Sequence, residues 1–223
     1  MTPAALRDDL SASRARTTSL WTDLSDEQLV LPYMRIVNPV LWEVGHVAWF
    51  QEYWILRHLL GRETSIPRCD DLYDSATVAH ARRWSLPLPD RDGIRSYLER
   101  TLDRVLESAE RAQDPYFFFL AMFHEDMHAE AMTYTRQTIG LPAPRIAAER
   151  NLTISTREGE QIPVGDCEVM VGASAGETFF FDNEKWAHPV RLSSYPIDAA
   201  PVTNRRYAEF VEHGGYAERR LWT

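Results

Sequence analysis

The sequence predicts an α+β chain: a four-helix bundle over residues 1–144, then, over residues 145–223, the opening of a second domain that is strand-rich and irregular. Three observations predict it. Apolar residues up to Gly140 recur at the spacing of helices that bury one face. After Pro142-Ala143-Pro144 the pattern becomes short alternating runs separated by turn residues. Finally, His124 and His128 stand four residues apart, and a third histidine, His46, lies in an apolar helical stretch upstream. Bundles commonly build metal sites from side chains on facing helices.

The first helix is expected from Pro3 to about Thr22, and Ser25-Asp26-Glu27-Gln28 has the capping-box pattern of a short helical turn. The second opens at Asn38-Pro39 and carries Leu41, Trp42, Gly45, His46, Trp49, Tyr53, Leu56 and Leu60 up to Gly61. The third runs from about Asp92 to Ala112, with Ile94, Tyr97, Leu98, Leu102, Val105 and Leu106 as its buried stripe. The fourth starts at Asp114-Pro115, a capping side chain followed by a proline suited to the first helical position, and stops at Gly140 with Pro142 beyond. In the second domain, Asn151 to Ser155, Glu168 to Val171, Phe179 to Phe181 and Val190 to Tyr195 read as strands. A capped helix follows from Thr203 to Val211, closed by Gly214-Gly215. About 70 residues of this kind fall short of a usual domain, so the segment is expected to be the N-terminal part of one.

Composition narrows the function. A chain of 223 residues with 44% hydrophobic content can fill a substantial core. A net charge of -9 and a pI near 5.3, with no basic tract, argue against nucleic acid as a partner. No run of residues approaches a membrane span, and the start of the chain lacks the basic-then-apolar order of a secretory leader. Cys69 and Cys167 are too few for a disulfide framework and match no Cys-rich zinc pattern, so a reducing cytoplasm is the expected compartment and both thiols read as structural.

On a helix, the four-residue spacing stacks the imidazoles of His124 and His128 on one face, about one turn apart. A third imidazole, His46, from a facing helix would complete one side of a metal ion and leave the other positions for reactants. Taken alone, His46 reads as a core histidine satisfied by one hydrogen bond. His58, His80, His188 and His213 read as surface or loop residues. A rival occupies the same helix: His124-Glu125-x-x-His128 fits the zinc metallohydrolase pattern, in which the glutamate activates water. Ala131 and Tyr134 stand where the extended form needs glycine and histidine, which removes that branch. A zinc enzyme with Glu149 as third ligand stays open, as does a non-catalytic metal-binding bundle whose second domain recognises a ligand. Glu125 is a candidate to orient a metal-bound imidazole from behind, whereas Asp126 reads equally well as a solvated helix charge, and Glu130 reads as one.

Three blocks carry a resemblance: Asn38 to Phe50, Phe123 to Ala131, and Phe181-Asp182-Asn183-Glu184 through Pro201-Val202-Thr203-Asn204 to Gly214-Gly215-Tyr216. On these residues the chain resembles the ergothioneine-biosynthesis sulfoxide synthases. Those non-heme iron enzymes join a DinB-like four-helix bundle to a mixed, C-type-lectin-like domain similar to that of formylglycine-generating enzyme. The resemblance implies Fe(II) held by His46, His124 and His128. It also implies oxygen-dependent joining of a sulfur or selenium donor to the imidazole C2 of hercynine, with O2 as co-substrate. It puts the family's catalytic tyrosine and much of its hercynine pocket beyond Thr223, so no catalytic acid is assigned within the chain.

Two departures bear on the donor. Met127 stands where the sulfur enzymes typically carry a glutamine that helps hold hercynine, and a thioether donates no hydrogen bond. The loop that carries a carboxylate-clamping set of arginines in enzymes using gamma-glutamylcysteine offers Arg68, Arg82 and Arg83 here, out of alignment with that set. Met127, Arg82 and Arg83 are therefore the substrate-binding candidates, and a neutral selenosugar is favoured over a thiol such as gamma-glutamylcysteine, as in selenoneine synthases.

Overall fold

Side-chain caps set several helix starts in the first part of the chain. The structure is a computed structural model that describes residues 2–110, 114–144, 157 and 159–223. Helix α1 (Pro3–Ser19) starts where the Thr2 hydroxyl accepts from the amide of Ala5, and it ends three residues before the expected Thr22. Ser25 and Gln28 close the expected capping box around α2 (Asp26–Leu29). Helix α3 (Val40–Gln51) begins at Pro39, but without a side-chain cap: the Asn38 amide oxygen instead accepts from Arg83.

The expected helix up to Gly61 is present with a change of winding. From Glu52 to Leu59 it is π-helical, ending at Gly61 with φ of 63°. The wider turn alters which side chains share a face beyond Gln51. Two short elements follow, α4 (Cys69–Tyr73) and a 3₁₀ turn (His80–Trp84). Helix α5 (Arg91–Ala109) is capped by Asp90, which accepts from Gly93. Helix α6 (Tyr116–Thr138) closes at Gly140 in the left-handed region, with the amide of Leu141 donating to Arg136 oxygen at 2.8 Å. That arrangement satisfies carbonyls the last turn would otherwise leave open.

The chain divides into two compact units, Met1–Ala148 and Glu149–Thr223. In the first, α1, α3, α5 and α6 form the bundle: α3 packs on α5 and α6, and α1 on α5 and α6. Its core is aromatic, with Trp21, Trp42, Tyr73, Tyr97 and Phe118 fully buried. Arg14 of α1 is buried among these apolar groups. It donates to Glu125 of α6 at 2.7 Å, to Gln51 of α3 at 2.8 Å and to the Leu98 carbonyl of α5 at 2.6 Å. Gln51 also donates to Glu125, at 2.8 Å. None of the helices among the described residues is long and apolar enough to cross a membrane.

The second unit holds two two-stranded antiparallel sheets, one pairing β1 (Gln161–Val164) with β4 (Tyr195–Asp198), the other β2 (Cys167–Val171) with β3 (His188–Leu192). The expected run from Glu168 is β2, whereas the run from Val190 to Tyr195 is interrupted at Ser193-Ser194 and divides between β3 and β4. Phe179 to Phe181 is not a strand: its rings pack edge to face and the chain turns at once into a 3₁₀ turn (Asp182–Glu184). The expected strand from Asn151 to Ser155 lies outside the described residues. Helix α7 (Asn204–Glu212) forms as expected, capped by Thr203. Together the units bear out the α+β expectation.

Removing one partner of a buried ion pair leaves the other charge stranded, so Arg14→Met should destabilise the chain by about 3–5 kcal/mol. Arg14→Met combined with Glu125→Met should recover part of that loss, which urea unfolding of the single and double variants would measure.

Candidate metal centre

Two helices supply the three histidines. His46 comes from the middle of α3, and His124 and His128 come from successive turns of α6. On α6 the buried residues Ala121, Glu125, Ala129 and Met132 define the inward face. At about 100° per residue, His124 and His128 stand at one edge of that face, and Met127 lies beyond them toward solvent. The three side chains can each place a ligand nitrogen within 4.8 Å of the others. The Nε2 atom of His124 is 3.2 Å from that of His46 and 3.1 Å from that of His128.

The rings are held on their faces and at their far nitrogens. His46 stacks on Trp42 at 4.9 Å and 8°, with Trp49 at 5.5 Å, and Arg83 lies 3.8 Å over the Trp42 ring. His124 stacks on Phe50 with centroids 3.5 Å apart and planes 7° apart. The Nδ1 atom of His46 is 2.7 Å from the Tyr73 carbonyl, and that of His128 is 2.5 Å from the Glu43 carboxylate. His124 Nδ1 is buried without a partner among the described residues.

Burial favours the neutral form of two of the imidazoles, His46 and His124. Burial pushes the pKa of His46 down to about 4, with His128 acting in the same direction and the Tyr73 carbonyl against it. Burial, then His128 and His46, hold His124 well below the ordinary histidine value. Glu43 is also buried, which alone would raise its pKa, yet the hydrogen bond and charge of His128, with Asn38 beside it, bring the carboxyl below its usual value. Neutral imidazoles with converging ring nitrogens are what a divalent transition metal requires, and such ions take imidazole readily.

The structure distributes the remaining candidates differently. Glu125 is not behind an imidazole: its carboxylate is fully committed to Arg14 and Gln51 on the inward face, and the carboxylate that meets a histidine is Glu43. Asp126 accepts from Ser13 and Arg16. Met127 is half exposed, next to His128 in the chain. Arg83 is occupied by Trp42 and Asn38, whereas exposed Arg82 lines a surface cleft of about 330 Å³ with Arg68, Asp71 and Leu72. Glu149 lies outside the described residues. Cys69 is buried and its thiol is pushed up by that burial, in keeping with a structural role.

Residues 9–135, more than half of the chain, match the DinB superfamily. The chain belongs to that superfamily. Its DinB bundle is followed by residues 148–223, which match the sulfatase-modifying factor enzyme 1-like domain. A hercynine oxygenase of Mycolicibacterium smegmatis is 30% identical over 98% of this chain and 52% of its own length. The hercynine oxygenase of Mycobacterium tuberculosis is 29% identical over 99% of this chain and 53% of its own. The second part is also similar to a formylglycine-generating enzyme of Streptomyces coelicolor, 37% identical over 81 residues, which is 35% of this chain and 25% of that protein. The chain thus spans about half the length of the hercynine oxygenases it matches, and those relatives extend over the DinB bundle and the second domain together.

The depressed pKa of His46 has a sign. The unfolded chain takes up a proton near 6.5 and the folded chain only near 4, so the stability this residue contributes is complete above about 6.5 and is lost as pH falls toward 4. The loss should reach about 3 kcal/mol. Urea unfolding of the metal-free protein across this window, beside His46→Gln, should show a flatter pH dependence in the variant.

Proposed function

We propose that this chain carries the metal centre of an iron(II)-dependent oxygenase acting on hercynine, in which His46, His124 and His128 hold the ion. The convergence of three imidazoles, with His46 and His128 pinned at their far nitrogens by groups that only accept hydrogen bonds, carries the reading. The names of the relatives and their match across both domains support the substrate and the reaction class. Iron held there would supply a site at which oxygen and a sulfur or selenium donor meet beside the hercynine imidazole. The chain's own part is orientation: α3 and α6 fix the ligand set, and the stacked Trp42 and Phe50 exclude water from the backs of two imidazoles. Holding reactants in one geometry replaces a rare three-body encounter by a positioned complex.

A zinc hydrolase reading needs the glutamate of the His-Glu-x-x-His motif to face a metal-bound water, and Glu125 instead faces Arg14 and Gln51. For the donor, Arg83 is taken up by Trp42 and Asn38 and Met127 offers no hydrogen bond. Both features favour a neutral selenosugar over gamma-glutamylcysteine.

Replacing His46, His124 or His128 singly by Ala should lower iron affinity by more than the about 10- to 100-fold typical of losing an outer-shell partner. Metal analysis after equilibrium dialysis reads this, and full iron occupancy in His46→Ala would remove the three-histidine centre. In competition between donors at equal concentration with hercynine under air, mass analysis should find mainly the selenosugar product. Preference for gamma-glutamylcysteine would point to Arg82 and Arg68, in their shared cleft, as the carboxylate partners.

A further inference from the structure

The Glu43 carboxylate and the Tyr73 carbonyl have no proton to give, so the ring nitrogens facing them must donate. His46 and His128 are then both protonated at Nδ1, and in their neutral forms both present an Nε2 lone pair toward His124. His124 has no arrangement that satisfies everything. With its proton on Nε2 it can face the two lone pairs, but its Nδ1 is a buried acceptor with no partner among the described residues; with the proton on Nδ1 that group becomes a buried orphan donor and three lone pairs converge. A cation among the three Nε2 atoms removes the second conflict, and only the Nδ1–H tautomers of His46 and His128 permit it.

Glu43 and Tyr73 come from different elements and arrive by different means. Glu43 sits one turn before His46 on α3, and its partner is on α6, so the same carboxylate also ties the two ligand-bearing helices together. Tyr73 ends α4, and its ring lies directly against α3. A Cβ on Gly45 would fall 2.3 Å from Tyr73 Cε1 and 2.5 Å from Cζ, and the tyrosine is fully buried, so the clash cannot be relieved by swinging into solvent. Only glycine at 45 lets α4 approach closely enough to put the Tyr73 carbonyl 2.7 Å from His46.

Resting on the three-histidine metal reading above, we propose that Glu43, Tyr73 and Gly45 are positioning residues of the centre. Glu43 and the Tyr73 carbonyl lock His128 and His46 in the Nδ1–H form, and Gly45 is the vacancy that admits Tyr73.

The test has two readouts. Long-range ¹H–¹⁵N correlation spectra of the metal-free, ¹⁵N-histidine-labelled protein report the tautomer of each ring without any substitution. Cobalt(II) affinity, by competition with a chelator, is then compared among the wild type, Glu43→Gln, Glu43→Ala and Gly45→Ala. The wild type should carry Nδ1–H on His46 and His128. Glu43→Ala should weaken cobalt binding about 10- to 100-fold and release His128 into a tautomer mixture, while Glu43→Gln, which keeps an acceptor oxygen, should retain most of the Nδ1–H form and lose less affinity. Gly45→Ala should disturb His46 and leave His128 largely unchanged, a division that general destabilisation would not produce. Nε2–H on His128 in the wild type, with cobalt still bound, overturns the positioning roles alone. Nδ1–H on both rings with no cobalt or iron binding overturns the metal reading alone. Unchanged cobalt affinity in a folded Glu43→Ala overturns the role of Glu43.

Discussion

The rotation of α6 about its own axis decides whether His124 and His128 meet His46, and that rotation is fixed by the buried guanidinium of Arg14. From α1 it reaches a carboxylate on α6, an amide on α3 and a backbone carbonyl on α5. All four helices of the bundle are therefore tied to one planar group. Apolar packing alone tolerates some sliding and turning of a helix, because most neighbouring side chains can be exchanged at modest cost. A buried carboxylate cannot be so tolerant: turned away from Arg14, Glu125 would lose partners it cannot replace with water. His124 is the next residue in the chain, about 100° around the helix. Anchoring Glu125 inward thus sets His124 and His128 at the edge of the buried face, close to the interior but within reach of the surface.

That edge explains the division of labour around the centre. The α3 side is dry and aromatic, with Trp42, Trp49 and Phe50 covering two of the imidazoles. The α6 side opens toward the partly exposed Phe123, Met127 and Tyr134. Among the described residues, the exposed side chains beside the three histidines lie on this second side, and the groups that fix His46 lie on the first. Arg83, which by sequence could have belonged to the loop that greets a substrate, belongs instead to the first side, with its guanidinium lying over Trp42.

Much of this was legible in the sequence because the relevant signals are local. The capping box at Ser25 and Gln28, the glycine stop at Gly140 and the paired histidines each declare themselves within a few residues. What escaped depends on distant partners or on backbone atoms. Glu43 reads as an ordinary helix charge until His128, 85 positions away, is placed beside it. The Tyr73 carbonyl is invisible to any reading of side-chain types. Glu125 misled for the opposite reason, since a familiar local motif suggested a role at the metal while Arg14, 111 positions away, had already claimed it. In the second unit, Pro163 in β1 faces Pro196 in β4, and prolines ordinarily argue against a strand. The Phe179 to Phe181 run has strand composition but packs its rings on one another.

The stack of Arg83, Trp42 and His46, with Trp49 on the other part of the imidazole, also gives the centre a built-in optical reporter. Two indoles lie within 5.5 Å of a single ring. Their excited states are within range for quenching by an open-shell ion attached to that ring, and their emission also responds to the orientation of the nearby guanidinium charge. Of the seven tryptophans in the chain, these two should dominate any change in intrinsic fluorescence that accompanies filling of the site. Occupancy of the proposed site can therefore be tested in light the protein itself emits, without a label and without turnover.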